Sequence, residues 1–163
     1  MARHDSYAEN LEEAKKFEDY VDRKLYHEAG LPIGLHRSGS FQISYGESRA
    51  GFEIKYDRKC KTTGRLFIET AETHDVDVPM KPAGIHGKGV FLVIGDYHKI
   101  WLFGMRTLRR LESQFTAIEV KKGSQKPTAR GFLLPVTVAD EYAELVLNGG
   151  EPRVMPHQSL ETR

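Results

Sequence analysis

The chain has a single cysteine, Cys60, among 163 residues. That excludes an internal disulfide and a cysteine-rich zinc site, and it fits a reducing compartment. No apolar run approaches about 18 residues, so no segment reads as a membrane-spanning helix and no membrane partner is expected. No hydrophobic stretch follows Met1-Ala2-Arg3-His4-Asp5, and the expected location is therefore intracellular, in the cytoplasm. Net charge is almost absent: 24 Lys and Arg against 23 Asp and Glu leave +1. Any nucleic-acid surface must then come from local clustering and not from overall charge. The seven histidines never take a metal-ligand spacing on one helix, and His74, His86 and His98 read as loop residues. Gly84-Ile85-His86-Gly87-Lys88-Gly89 lacks the strand before and the helix after that a nucleotide loop requires, so it reads as turns.

What is present is a soluble globular composition, 39% hydrophobic and 29% charged, long enough for one domain with a core of its own. Residues 1–150 form that domain and residues 151–163 a polar tail. From Ser6 the pattern is helical, with Ser6 and Glu9 at capping-box spacing. Tyr7, Leu11, Ala14, Val21 and Leu25 form one apolar stripe, and Gly30 stops the helix before Pro32. Glu18 falls within about 20–25° of the stripe's centre, so it is either a paired rim carboxylate or a functional one. A strand is expected around Phe41–Tyr45, then a turn at Gly46–Ala50. Residues 72–88, with Pro79, Pro82 and several glycines, form a long connection. Val90–Ile94 and Ile100–Phe103 flank Gly95–Lys99 as a hairpin whose strands should be buried on both faces. A basic helix capped by Thr107 runs to Gln114, a strand follows over Phe115–Val120, and a last helix is expected over Ala139–Leu147. There is no internal repeat.

The informative stretch is Gly51-Phe52-Glu53-Ile54-Lys55-Tyr56-Asp57 together with Leu66-Phe67-Ile68-Glu69-Thr70-Ala71. In a strand Phe52, Ile54 and Tyr56 face one way while Glu53, Lys55 and Asp57 face the other. In the second run Glu69 is the only charge among residues fit for a core. If residues 58–65 join the two as a hairpin or a wider turn, the strands become neighbours, opposed Cβ atoms stand about 4.5–5.5 Å apart, and register decides whether Asp57 and Glu69 meet. Two carboxylates and a lysine meeting beside Arg58, Lys59, Lys61 and Arg65 supply the groups for metal-assisted phosphodiester hydrolysis, with Mg²⁺ or Mn²⁺ as cofactor and DNA as partner. The bland alternative is a solvated strand face beside a charged turn. Lys121, Lys122, Lys126 and Arg130 either track a nucleic-acid backbone or belong to a solvated loop. Lys59 and Lys61 are expected to lower the pKa of Cys60, which without a partner base is a bystander.

The order of helix with Glu18, strand, strand ending in Asp57 and strand carrying Glu69 resembles the core of the PD-(D/E)XK nuclease superfamily over roughly residues 10 to 71. The segment with Gly64 before Leu66-Phe67-Ile68-Glu69 is similar to that of small phage- or prophage-type proteins. The resemblance implies a restriction-endonuclease-like α+β (α/β) fold, with the N-terminal helix packed on a central mixed sheet. It further implies Asp57 as first acid, Glu69 as second acid and Glu18 as the helix acid around Mg²⁺. The position two after Glu69 is Ala71 where the family has lysine, and Lys55 takes that part from the neighbouring strand. In a competing register Glu53-Ile54-Lys55 is the acid-x-lysine motif, with Glu53 as second acid and Glu47 as first. Paired cuts across a duplex would call for a homodimer. The rival reading, argued from the missing lysine, is a binding module that contacts nucleic acid or protein without cutting.

Overall fold

The computed structural model describes residues 2–36, 48–121 and 126–150. Helix α1 (Ala2–Ala29) is followed by β1 (Phe52–Tyr56), a single helical turn at Cys60–Thr63, β2 (Arg65–Glu72) and the two-residue β3 (Lys81–Pro82). After a 3-10 turn at Gly84–His86 come β4 (Phe91–Gly95), β5 (Lys99–Gly104), α2 (Met105–Glu112), β6 (Ile118–Val120), β7 (Ala129–Pro135), α3 (Val136–Tyr142) and β8 (Leu145–Asn148). The architecture is mixed α+β. Among the described residues no helix is long and apolar enough to cross a membrane. The strand expected around Phe41–Tyr45, Glu47, Lys122 and the tail from residue 151 lie outside the described residues.

The strands form two four-stranded sheets, a mixed one in the order β1-β4-β5-β8 and an antiparallel one in the order β3-β2-β7-β6. The β4–β5 hairpin is the hinge of the arrangement. Alternate residues of these strands are apolar in both directions because each face covers a different core. Val93, Ile100 and Leu102 join Phe52 and Ile54 against Phe17, Tyr20, Val21 and Leu25 of α1. Leu92, Ile94, Trp101 and Phe103 pack with Leu66, Ile68, Phe132 and Leu134 of the antiparallel sheet and with Met105, Leu108 and Leu111 of α2. The mixed sheet is thus covered by α1 on one face and by the second sheet on the other.

Several expectations are corrected. β1 and β2 are not a hairpin: β1 runs parallel to β4, with Lys55 beside Ile94, while β2 pairs with β7 and β3. A parallel pair needs a crossover, and the chain from residue 57 to 90, containing β2 and β3, supplies it. The departure is made by the helical turn at Cys60–Thr63, closed by Gly64 at φ 64° with its N–H on the Cys60 carbonyl at 2.9 Å. Helix α1 starts four residues before Ser6, so Ser6 lies within it. Its far end is as expected: Gly30, at φ 67°, donates to the Tyr26 carbonyl at 3.1 Å. Helix α2 is capped by Gly104 and not by Thr107. The last helix is α3, which ends at Ala143 in extended backbone. The segment after it becomes β8 because Leu145–Asn148 can pair with β5 and lay Leu145 and Leu147 on the α1 core. Tertiary pairing overrides local helical patterning there.

Candidate functional site

The polar side of β1 sits at the edge of the mixed sheet and looks toward β2. Because Lys55 is in register with Ile94, it projects from the face that the second sheet covers. There the Lys55 ammonium lies 3.3 Å from Glu53 Oε1 and 4.0 Å from Glu69 Oε1. Glu69 is 7% exposed, Glu53 16% and Lys55 41%, so a buried acid meets solvent through a partly exposed lysine. Lys55, Asp57, Lys59, Phe67 and Glu69 line one open cleft of about 400 Å³.

Glu69 is held by its backbone. It opposes Gly131 of β7, and the register then slips so that Thr70 is bulged out between Glu69 and Ala71. The Thr70 hydroxyl donates to the Arg130 carbonyl at 3.3 Å. A bulge of this kind re-aims the neighbouring side chain. On the other side Gly84, at φ 55°, lies so close that a Cβ there would stand 2.2 Å from the Glu69 carbonyl oxygen. Only glycine fits both that conformation and that approach.

Asp57 lines the same cleft as Lys55 and Glu69, and its carboxylate is engaged by backbone. Its Oδ1 accepts the Lys59 N–H at 3.0 Å and its Oδ2 the Phe67 N–H at 3.0 Å. The carboxylate therefore pins the start of β2 to the end of β1. Glu18 is half-buried on α1 and is not among the residues lining the cleft. Helix α1 reaches the cleft through Asn10 instead.

The basic residues divide. Arg58 and Lys59 both border the cleft, and Arg65 and Lys121 are exposed. Arg58 is ion-paired to Glu13, donates to Asn10 Oδ1 at 2.9 Å and lies 5.4 Å over the Tyr56 ring. Lys126 pairs with Asp77 at 2.9 Å and Arg130 with Glu119 at 2.8 Å. Lys61 bonds to His98.

Cys60 also departs from expectation. It is buried, and burial first, then the charges of Asp96 and Asp57, push its thiol up to about 12. The Lys61 backbone N–H acts in the lowering direction but is outweighed. At about pH 8 only some one in 10⁴ thiols would be thiolate, the nucleophilic form. Labelling with a thiol-disulfide reagent should be at least about a hundredfold slower in the native protein than in denaturant. Equal rates in the two states would place Cys60 at the surface.

Two polar residues in the interior had no sequence argument. Asp96, in the β4–β5 turn, accepts the His98 and Lys99 N–H groups at 2.7 and 3.1 Å. Lys24, 1% exposed, lies on the same α1 face as Phe17, Tyr20 and Val21. A spacing of seven from Phe17 was the available signal, and the charge of Lys24 hid it.

Among the described residues no group of three or more His, Cys, Asp or Glu side chains could hold a metal ion. The hard oxygens of Glu53 and Glu69 nevertheless suit Mg²⁺, which keeps several waters and takes one or two carboxylates together with substrate phosphate. The chain matches no protein-family model, no curated protein and no solved structure.

Proposed function

We propose that this chain is a metal-assisted phosphodiesterase acting on DNA, with a restriction-endonuclease-like fold and its chemistry on Glu53, Lys55 and Glu69. The observation that carries the reading is the Lys55 ammonium placed between two carboxylates, one of them buried, in an open cleft. Glu69, 7% exposed, and Glu53 both lie within ion-pair distance of Lys55, so the lysine is held where the two acids converge.

In this reading Glu53 and Glu69 would hold Mg²⁺ or Mn²⁺. A bound divalent cation supplies Lewis-acid polarisation of the phosphoryl oxygen and a water acidified for attack. Lys55, already charged and oriented by both acids, stabilises negative charge developing on the phosphate and helps orient the water. Its place on β1 accounts for alanine at the position two after Glu69. Lys59 at the cleft edge positions a backbone phosphate. Asp57 acts as a positioning residue, because both of its oxygens already accept backbone N–H groups. This reading gives Glu18, on α1, no ligand role.

A non-cutting nucleic-acid-binding module is the second reading, favoured by the pairing of Lys55 with both acids. Supercoiled plasmid, linear plasmid and a branched oligonucleotide incubated with Mg²⁺, Mn²⁺ or EDTA separate the two. Cleavage that EDTA stops is the expected result. No cleavage of any substrate, together with no rise in melting temperature on adding either metal, would leave the binding module.

A further inference from the structure

Beyond the cleft, we propose that Lys61 and His98 form a proton-gated contact for a backbone phosphate of the bound nucleic acid. The identity of the ligand rests on the nuclease reading above; the contact itself rests on geometry. Lys61 Nζ lies 3.2 Å from His98 Nε2, and both residues are exposed. An ammonium has only protons to give, so Nε2 must accept and His98 must be neutral in this contact. Protonation would set two cations against each other, a repulsion that an anion bound between them relieves.

Among the described residues neither Lys61 nor His98 has a carboxylate partner. Asp96, on the same turn, is buried with Oδ1 on the His98 and Lys99 N–H groups. Asp140 of α3 is engaged by the Lys99 ammonium at 2.7 Å and by the Trp101 indole N–H at 2.7 Å. The neighbouring Cys60 thiol is protonated at neutral pH, being pushed up to about 12, and Lys99 adds positive charge at the same cavity. Just past β8, the Gly149 N–H donates to the His98 carbonyl, 2.6 Å away. A phosphate oxygen accepts from both Lys61 and a protonated His98, so binding takes up a proton.

The position suits a strand. Lys59, the residue before the helical turn, borders the carboxylate cleft, and Lys61, two residues on, lies at the cavity beside the β4–β5 turn. A nucleic-acid strand crossing this turn meets both lysines.

The test is fluorescence anisotropy of a labelled duplex oligonucleotide with the full chain in EDTA, at constant ionic strength, between about pH 6 and pH 8. One linked proton should weaken wild-type binding about tenfold over that range. His98→Gln should bind at the weaker level with at most about a twofold pH dependence, whereas Lys61→Gln should bind more weakly throughout and keep the pH dependence that His98 carries. Equal pH dependence in wild type and His98→Gln, pH-independent wild-type binding, or no binding would each overturn the proposal. Cleavage is not read, so a chain that never cuts can still pass, and a cutting one can still fail.

Discussion

Glu69→Gln is expected to reduce metal-dependent DNA cleavage by about a thousandfold or more, with the protein still folded. The exchange keeps the side chain's shape and removes only its charge, at a position fixed by the Thr70 bulge and by the close approach of Gly84. Lys55 is 41% exposed, so water can solvate its ammonium once the buried charge is gone, and melting should shift by only a few degrees. Plasmid-relaxation rates in Mg²⁺, read beside the circular dichroism melt, check both halves. Wild-type cleavage by Glu69→Gln would remove this acid from the chemistry. Asp57→Asn makes the useful contrast. Its amide can accept from only one of the two N–H groups now bonded to the carboxylate. Stability should fall by about 1–3 kcal/mol, with cleavage by the folded fraction kept within about tenfold. An Asp57→Asn protein as stable as wild type but unable to cut would return the first-acid role to Asp57.

Lys24→Ala should cost about 3–5 kcal/mol of stability. Its ammonium is buried on α1, bonded to Glu28 Oε1 at 2.7 Å and to the Gly150 carbonyl at 3.3 Å, and it lies 5.8 Å over the Tyr20 ring. Truncation leaves a cavity beside Phe17 and Leu25, and it strips a partly buried carboxylate and a carbonyl of their cation. The same contact ties the end of β8 to α1, so docking of the last strand weakens with it. For a chain of this size the loss corresponds to a melting temperature lower by about 8–15 °C. Lys24→Met combined with Glu28→Gln should recover most of it, because both charges leave together and the volume is kept. Urea unfolding of the single and double variants measures the coupling. A loss below about 1 kcal/mol for Lys24→Ala would mean that the ammonium reaches water.

Some features were legible because they are written in neighbouring residues. The β4–β5 hairpin follows from two continuous apolar runs around a short polar loop, and the end of α1 from Gly30 before Pro32. The oddity of Glu69 in an apolar strand, and the separation of Glu53, Lys55 and Asp57 from Phe52, Ile54 and Tyr56, follow from period-two alternation. None of these needs a partner to be read. The faces of α1 were harder, since Leu11 is 46% exposed while Lys24 is 1% exposed. Residue type argued the opposite for both, and packing around Phe17 decided.

By itself, then, the sequence determined the mixed α+β character and the helix and strand periods. Only the tertiary structure decided that β1 pairs in parallel with β4, that β2 belongs to a second sheet, and that Leu145–Asn148 is a strand. It also decided that Lys55 meets Glu69 between two sheets while Asp57 turns to the backbone. The reason is one of range. Periodicity and capping depend on residues within a turn or two, whereas strand partnership depends on burying both faces of β4 and β5 at once, and those faces are covered by α1 and by β2 and β7, segments far apart in the chain.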